Sequence, residues 1–145
     1  MRKTILSLTT AGLALAGYLM AGGFWLQVGN PEASAEAQKA NAAVTLKVAG
    51  CHDPALATVT ATAVGLVNGE RRSIPLQLTK LSGPGMYAVT QQWPKEGKWV
   101  IQAEARADGM FTNTLVSAGP KGVDHLRAKL EPKAFAKSDI DAMLR

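Results

Sequence analysis

Beyond residue 43 the chain alternates apolar and polar positions with a period of two, the mark of half-buried strands. In "VTLKV", Val44, Leu46 and Val48 share one face while Thr45 and Lys47 take the other. After the turn-like run Cys51-His52-Asp53-Pro54, "ATVTATAVGLV" sets Val59, Ala61 and Ala63 against Thr58, Thr60 and Thr62. Asn68-Gly69 then predicts a tight hairpin, because a type I′ turn needs positive φ at both central residues. The return strand "RRSIPLQLTKL" aligns Ile74, Leu76 and Leu78. Pro75 within it has no amide to donate, which places this strand at a sheet edge.

The same alternation continues after the Ser82–Gly85 turn. "MYAVTQQW" puts Tyr87, Val89 and Trp93 on one face, and "KWVIQAEARA" puts Trp99, Ile101, Ala103 and Ala105 on another. The short "PKEG" connection predicts that these two strands pair as a hairpin. Asp108-Gly109 turns the chain into the last strand, "MFTNTLVSAG". Six or seven short strands at about ten-residue spacing, without βαβ alternation, predict an all-β antiparallel sandwich of immunoglobulin-like type over residues 44–119. Residues 36–43 read as a small-residue linker. In the tail, 120–145, Val123, Leu126 and Leu130 fall at helical spacing, and Ser138 with Asp141 reads as a capping box. That predicts a partly helical segment anchored by Ile140, Met143 and Leu144.

The start of the chain follows another rule. Met1-Arg2-Lys3 is basic, and Thr4–Val28 contains no charged residue. A basic start followed by an apolar run marks an export signal, and this run is long enough to span a bilayer. Ala33-Ser34-Ala35 satisfies the small-x-small rule for cleavage before Glu36. Residues 1–35 therefore read either as a cleaved signal peptide or as a retained membrane anchor helix. Arg2 and Lys3 place the remainder outside the cytoplasm in both cases. The expected setting is periplasmic, secreted, or anchored in the cytoplasmic membrane with the domain outside.

The net charge of +5 over 145 residues changes this picture little. Basic residues are scattered, with Lys47, Arg71-Arg72, Lys95, Lys98 and Lys121 far apart in sequence. That scatter and export argue against nucleic acid. The expected partner is an unidentified protein outside the cytoplasm, together with the membrane where the N-terminal segment is retained.

The single cysteine, Cys51, sits in "VAGCH", which mimics a lipobox. Its position, 23 residues beyond Val28, separates it from the apolar segment that a lipobox must end. One cysteine forms no internal disulfide, so in an oxidising compartment it is buried, a ligand, or paired with another chain. As ligands, Cys51 and His52 with Met86 and Met110 form a soft donor set that suits copper(I). Consecutive residues on a strand point to opposite faces, so such a site needs the turn at Asp53-Pro54. No G-x-S-x-G elbow is present, and the carboxylates fall on predicted solvent faces, which argues against an enzyme. Trp93, beside Pro94 at a turn, and Asp108 are candidates for a binding surface, and an exposed Trp93 would suit stacking on a sugar.

Gly85, Tyr87, Trp93-Pro94, Gly97 and Trp99 form a G-x-Y strand, an aromatic-proline turn and a G-x-W strand. This segment, Gly83–Ala105, resembles the FixH/YtkA-like group of extracytoplasmic immunoglobulin-like domains. The resemblance implies a sandwich behind an N-terminal anchor. Some members of that group assist copper-dependent oxidase assembly, which would imply copper handling, although this chain lacks their His/Met-rich ligand sets. The resulting expectation is a non-enzymatic accessory or binding domain. Copper handling through Cys51 and His52 is the alternative, and carbohydrate binding the weaker one.

Overall fold

The turns that join the strands are set by residues that tolerate positive φ. Asn68 (φ 53°) and Gly69 (φ 79°) make the type I′ pair expected of that dipeptide, and Asp108 (φ 47°) and Gly109 (φ 75°) repeat it. A computed structural model describes residues 23–50 and 53–145. Its strands are β1 (Phe24–Gly29), β2 (Ala42–Gly50), β3 (Thr58–Val67), β4 (Glu70–Leu76), β5 (Leu78–Lys80), β6 (Met86–Thr90), β7 (Trp99–Ala107), β8 (Met110–Gly119), β9 (Gly122–Val123) and β10 (Lys129–Glu131). Helices α1 (Ala35–Lys39) and α2 (Lys137–Leu144) are short.

All strand pairing is antiparallel, in two sheets. The first runs β1-β2-β6-β5 and the second β10-β8-β7-β3-β4, with β9 paired to β8. The alternation read from the sequence sets the inner faces. Val44, Leu46, Val48 and Val89 from the first sheet meet Ala61, Ala63, Trp99, Ile101, Ala103 and Val116 from the second in one buried cluster. Pro75 lies on β4, at the sheet edge as its missing donor requires. Gly65 pairs with Trp99 across β3 and β7, and a Cβ on Gly65 would stand 2.5 Å from the indole. The ring occupies the space that glycine leaves.

Four expectations are corrected. First, "RRSIPLQLTKL" is not one strand. β4 belongs to the second sheet and β5 to the first, with Gln77 at the crossing, its amide held by Gln92 Oε1 at 2.9 Å. Second, β6 and β7 do not pair. The segment 91–98 carries the chain from one sheet to the other, so β6 joins β2 and β5 while β7 joins β3 and β8.

Third, Val123, Leu126 and Leu130 do not share a helix. Residues 122–131 form β9, a 3₁₀ turn (His125–Arg127) and β10, because β8 offers them an open edge. Backbone pairing there outweighs a helical spacing of three residues. The cap of α2 shifts as well: Asp139 Oδ2 accepts from the amide of Ala136 at 2.8 Å, and Ser138 lies within the helix.

Fourth, the boundary drawn at Ala35 and the linker drawn over 36–43 both fall inside the fold. Phe24–Gly29 is the edge strand of the first sheet, in register with Thr45–Gly50 of β2. Leu26 is fully buried, and its carbonyl accepts from Thr114 Oγ1 of the opposite sheet at 2.8 Å. Ser34 caps α1 by accepting from the amide of Ala37, which packs with Leu81 and Ala88 on the outer face of the first sheet. Residues 1–22, with most of the expected leader, lie outside the described residues.

Two ties fasten the outer layers. Glu36 of α1 accepts from both the amide and the hydroxyl of Ser82, and these bonds hold its carboxyl below the usual carboxylate range. On the other side, Ile140 and Leu144 of α2 pack on Val64, Val100 and Leu115 of the second sheet. Arg71 of β4 forms an ion pair with Asp141 of α2. The tail is thereby a layer of the domain, anchored by the residues its apolar spacing indicated.

Candidate functional site: an apolar cleft between a hairpin and the last helix

At the end of the sandwich where β7 begins, Trp99 pairs with Ala118 of β8. Beyond Ala118 the chain makes the tight connection Gly119-Pro120-Lys121-Gly122, with Gly122 at φ 107°, and returns as β9. The amide of Asp124 donates to the carbonyl of Ser117 at 2.9 Å, closing that hairpin. The last turn of α2 supplies the facing wall through Met143. Between them lies a cleft of about 420 Å³.

Its geometry comes from anchored parts. Trp99, which lines the cleft, is 1% exposed, and its indole nitrogen donates to the carbonyl of Glu96 at 3.0 Å, which fixes the ring. Lys98 donates to the backbone carbonyl of Arg145, the residue that caps the end of α2, so that end is held beside the residue preceding β7. Ala118, Pro120 and Met143 give the walls an apolar character, while Lys98, Lys121 and Asp124 stand at the rim. Asp124 also pairs with Arg127 at 3.6 Å. Lys98 is engaged by Arg145 and Asp124 is shared with Arg127, so Lys121 is the rim ammonium available to an anionic group on an apolar ligand.

The residues singled out in the sequence fall elsewhere. Trp93 is not a surface platform: it is 6% exposed and part of the core between the sheets, because segment 91–98 folds over the end of the sandwich. Stacking of a sugar on Trp93 is thereby set aside. Asp108 does lie at the surface, in the β7–β8 turn, beside a hollow lined by Leu56, Thr58, Arg106, Met110 and Phe111. Arg106 there sits 4.4 Å over the Phe111 ring.

Cys51 and His52 lie outside the described residues; the chain leaves β2 at Gly50 and resumes at Asp53. Met86 packs against the Ala37, Leu81 and Ala88 cluster on the outer face of the first sheet. Met110 opens β8 in the second sheet, so the two methionines belong to different sheets. Among the described residues no three His, Cys, Asp or Glu side chains gather in a metal-sized group.

No family model, curated protein or solved structure matches the chain. The chemistry of the site therefore rests on its own residues. Of those, sequence reasoning missed Lys98, Lys121 and Met143 as a set. The turn signal was legible in "GPKG", but the wall opposite comes from a helix more than twenty residues further on.

Proposed function

We propose that the protein is an exported, non-enzymatic binding or accessory domain acting outside the cytoplasmic membrane, and that the cleft beside Trp99 is its binding site. What supports this reading is the cleft itself. Its volume falls in the range of small-ligand sites, its walls are apolar, and its few polar groups stand at one rim. The ligand class this favours is an apolar molecule or side chain carrying a carboxylate, sulfonate or phosphate. An immunoglobulin-like assignment and FixH/YtkA-like kinship belong to the same proposal. Gly85 at positive φ, with Tyr87 and Trp99 facing the core, are residues on which that kinship rests.

Anilinonaphthalene sulfonate, an aromatic anion, is a suitable probe. It should bind saturably at one site, and Lys121→Glu should weaken it about tenfold, the equivalent of one charge-assisted contact. Equal binding by wild type, Lys121→Glu and Met143→Gln would overturn the assignment of the cleft. The copper reading draws on Met110 sharing a hollow with Leu56, in the 3₁₀ turn (Pro54–Leu56) just after Cys51 and His52. Copper(I) competition against a chromophoric chelator separates the two readings: equal competition by wild type and Cys51→Ala removes copper.

A further inference from the structure

Strand β1 changes where an export signal can end. Hydrolysis before Glu36 would remove Phe24–Gly29, which pairs with β2 at six successive positions. It would also remove Leu26, which is fully exluded from solvent, and the carbonyl to which Thr114 donates across the two sheets. Asn30 and Ser34, which cap the 3₁₀ turn (Pro31–Ala33) and α1, would be lost with them. The product would be a sandwich with one edge of its core open.

We infer that the leader is cleaved between Gly23 and Phe24; this rests on the export reading proposed above. Ala21-Gly22-Gly23 is itself a small-x-small tripeptide, placed immediately before the strand. The next such tripeptide upstream, Ala14-Leu15-Ala16, lies inside the apolar run and would leave only half of it in the leader. Cleavage after Gly23 retains the whole of β1. In the reaction, water adds across the Gly23–Phe24 amide: Gly23 keeps the new carboxylate and departs with the leader, and Phe24 takes the new amine. The new terminus then begins the strand, with Phe24 opposite Gly50.

The full chain should be expressed in an export-competent bacterium, its location tested by protease accessibility in spheroplasts, and its intact mass measured. A protease-accessible product beginning at Phe24 is the expected result. An accessible product beginning at Glu36 would overturn the cleavage position and leave export standing. An accessible product beginning at Met1 would overturn cleavage in favour of an anchor, and a protected one would overturn export itself. Two variants add a second readout. Gly23→Leu should block processing and Ala35→Leu should not; the reverse pattern would overturn the proposal.

Discussion

Arg71 on the edge strand β4 is paired with Asp141 on the terminal helix, seventy residues further along the chain. The pair ties the helix that covers the second sheet to the edge strand of that sheet. Both side chains remain about one third exposed, at 27% and 35%, so the pair orients the helix more than it stabilises the domain. Arg71→Ala should cost about 0.2–1 kcal/mol, measured by urea denaturation. Amide exchange should accelerate in 137–144 and stay unchanged in β7. Ile140→Ala removes a buried anchor of the same helix and should cost more, about 2 kcal/mol.

Gly65→Ala tests the contact between β3 and the indole. A methyl group placed 2.5 Å from ring atoms must displace Trp99, which has no room to move. The expected loss is about 1–3 kcal/mol. A shift of the tryptophan emission maximum to longer wavelength should accompany it. Unchanged stability and emission would show that the ring does not lie over that glycine.

Thr114→Val tests the tie between the sheets at β1. It keeps the side-chain shape and removes the hydroxyl that donates to the Leu26 carbonyl. The expected cost is about 1 kcal/mol. Leu26→Ala, which opens a cavity at a fully buried position, should cost about 2–5 kcal/mol. If both variants unfold at the wild-type urea midpoint, β1 is not part of the core.

Glu36 predicts a pH effect with a defined sign. Its carboxyl is held below the usual carboxylate range first by the Ser82 hydroxyl and then by the Ser82 amide. A group depressed in the folded state contributes its stabilisation above its unfolded pKa and loses it as pH falls through the folded value. Ser82→Ala should raise the Glu36 pKa toward the ordinary value, read by carbon-detected NMR titration of the carboxyl. It should also narrow the difference in stability between neutral and acidic pH.

The strand faces were legible because a period of two needs only local composition. Val44, Leu46, Trp99 and Ile101 each lie on the face their spacing assigned. Which strands pair was not legible for β6 and β7. The "PKEG" turn reads the same whether it closes a hairpin or crosses between sheets, and the choice is made by burial of Trp93. Strand β1 was hidden because "FWLQV" continues an apolar run without interruption, so a strand and the end of a leader look alike. The cleft was hidden for a different reason. Lys98, Lys121 and Met143 come together through the docking of α2, which depends on Arg71 and on the outer face of β3, β7 and β8.

The bond between Thr114 and Leu26 joins residues 88 apart in sequence. Contacts of that separation raise the contact order and slow folding, because a long loop must close before its ends are rewarded. Strand β1 therefore stays only partly secured until β8 has formed. Its outer edge pairs with no strand of the first sheet, and before the tie to β8 forms it is a template for another chain's strand.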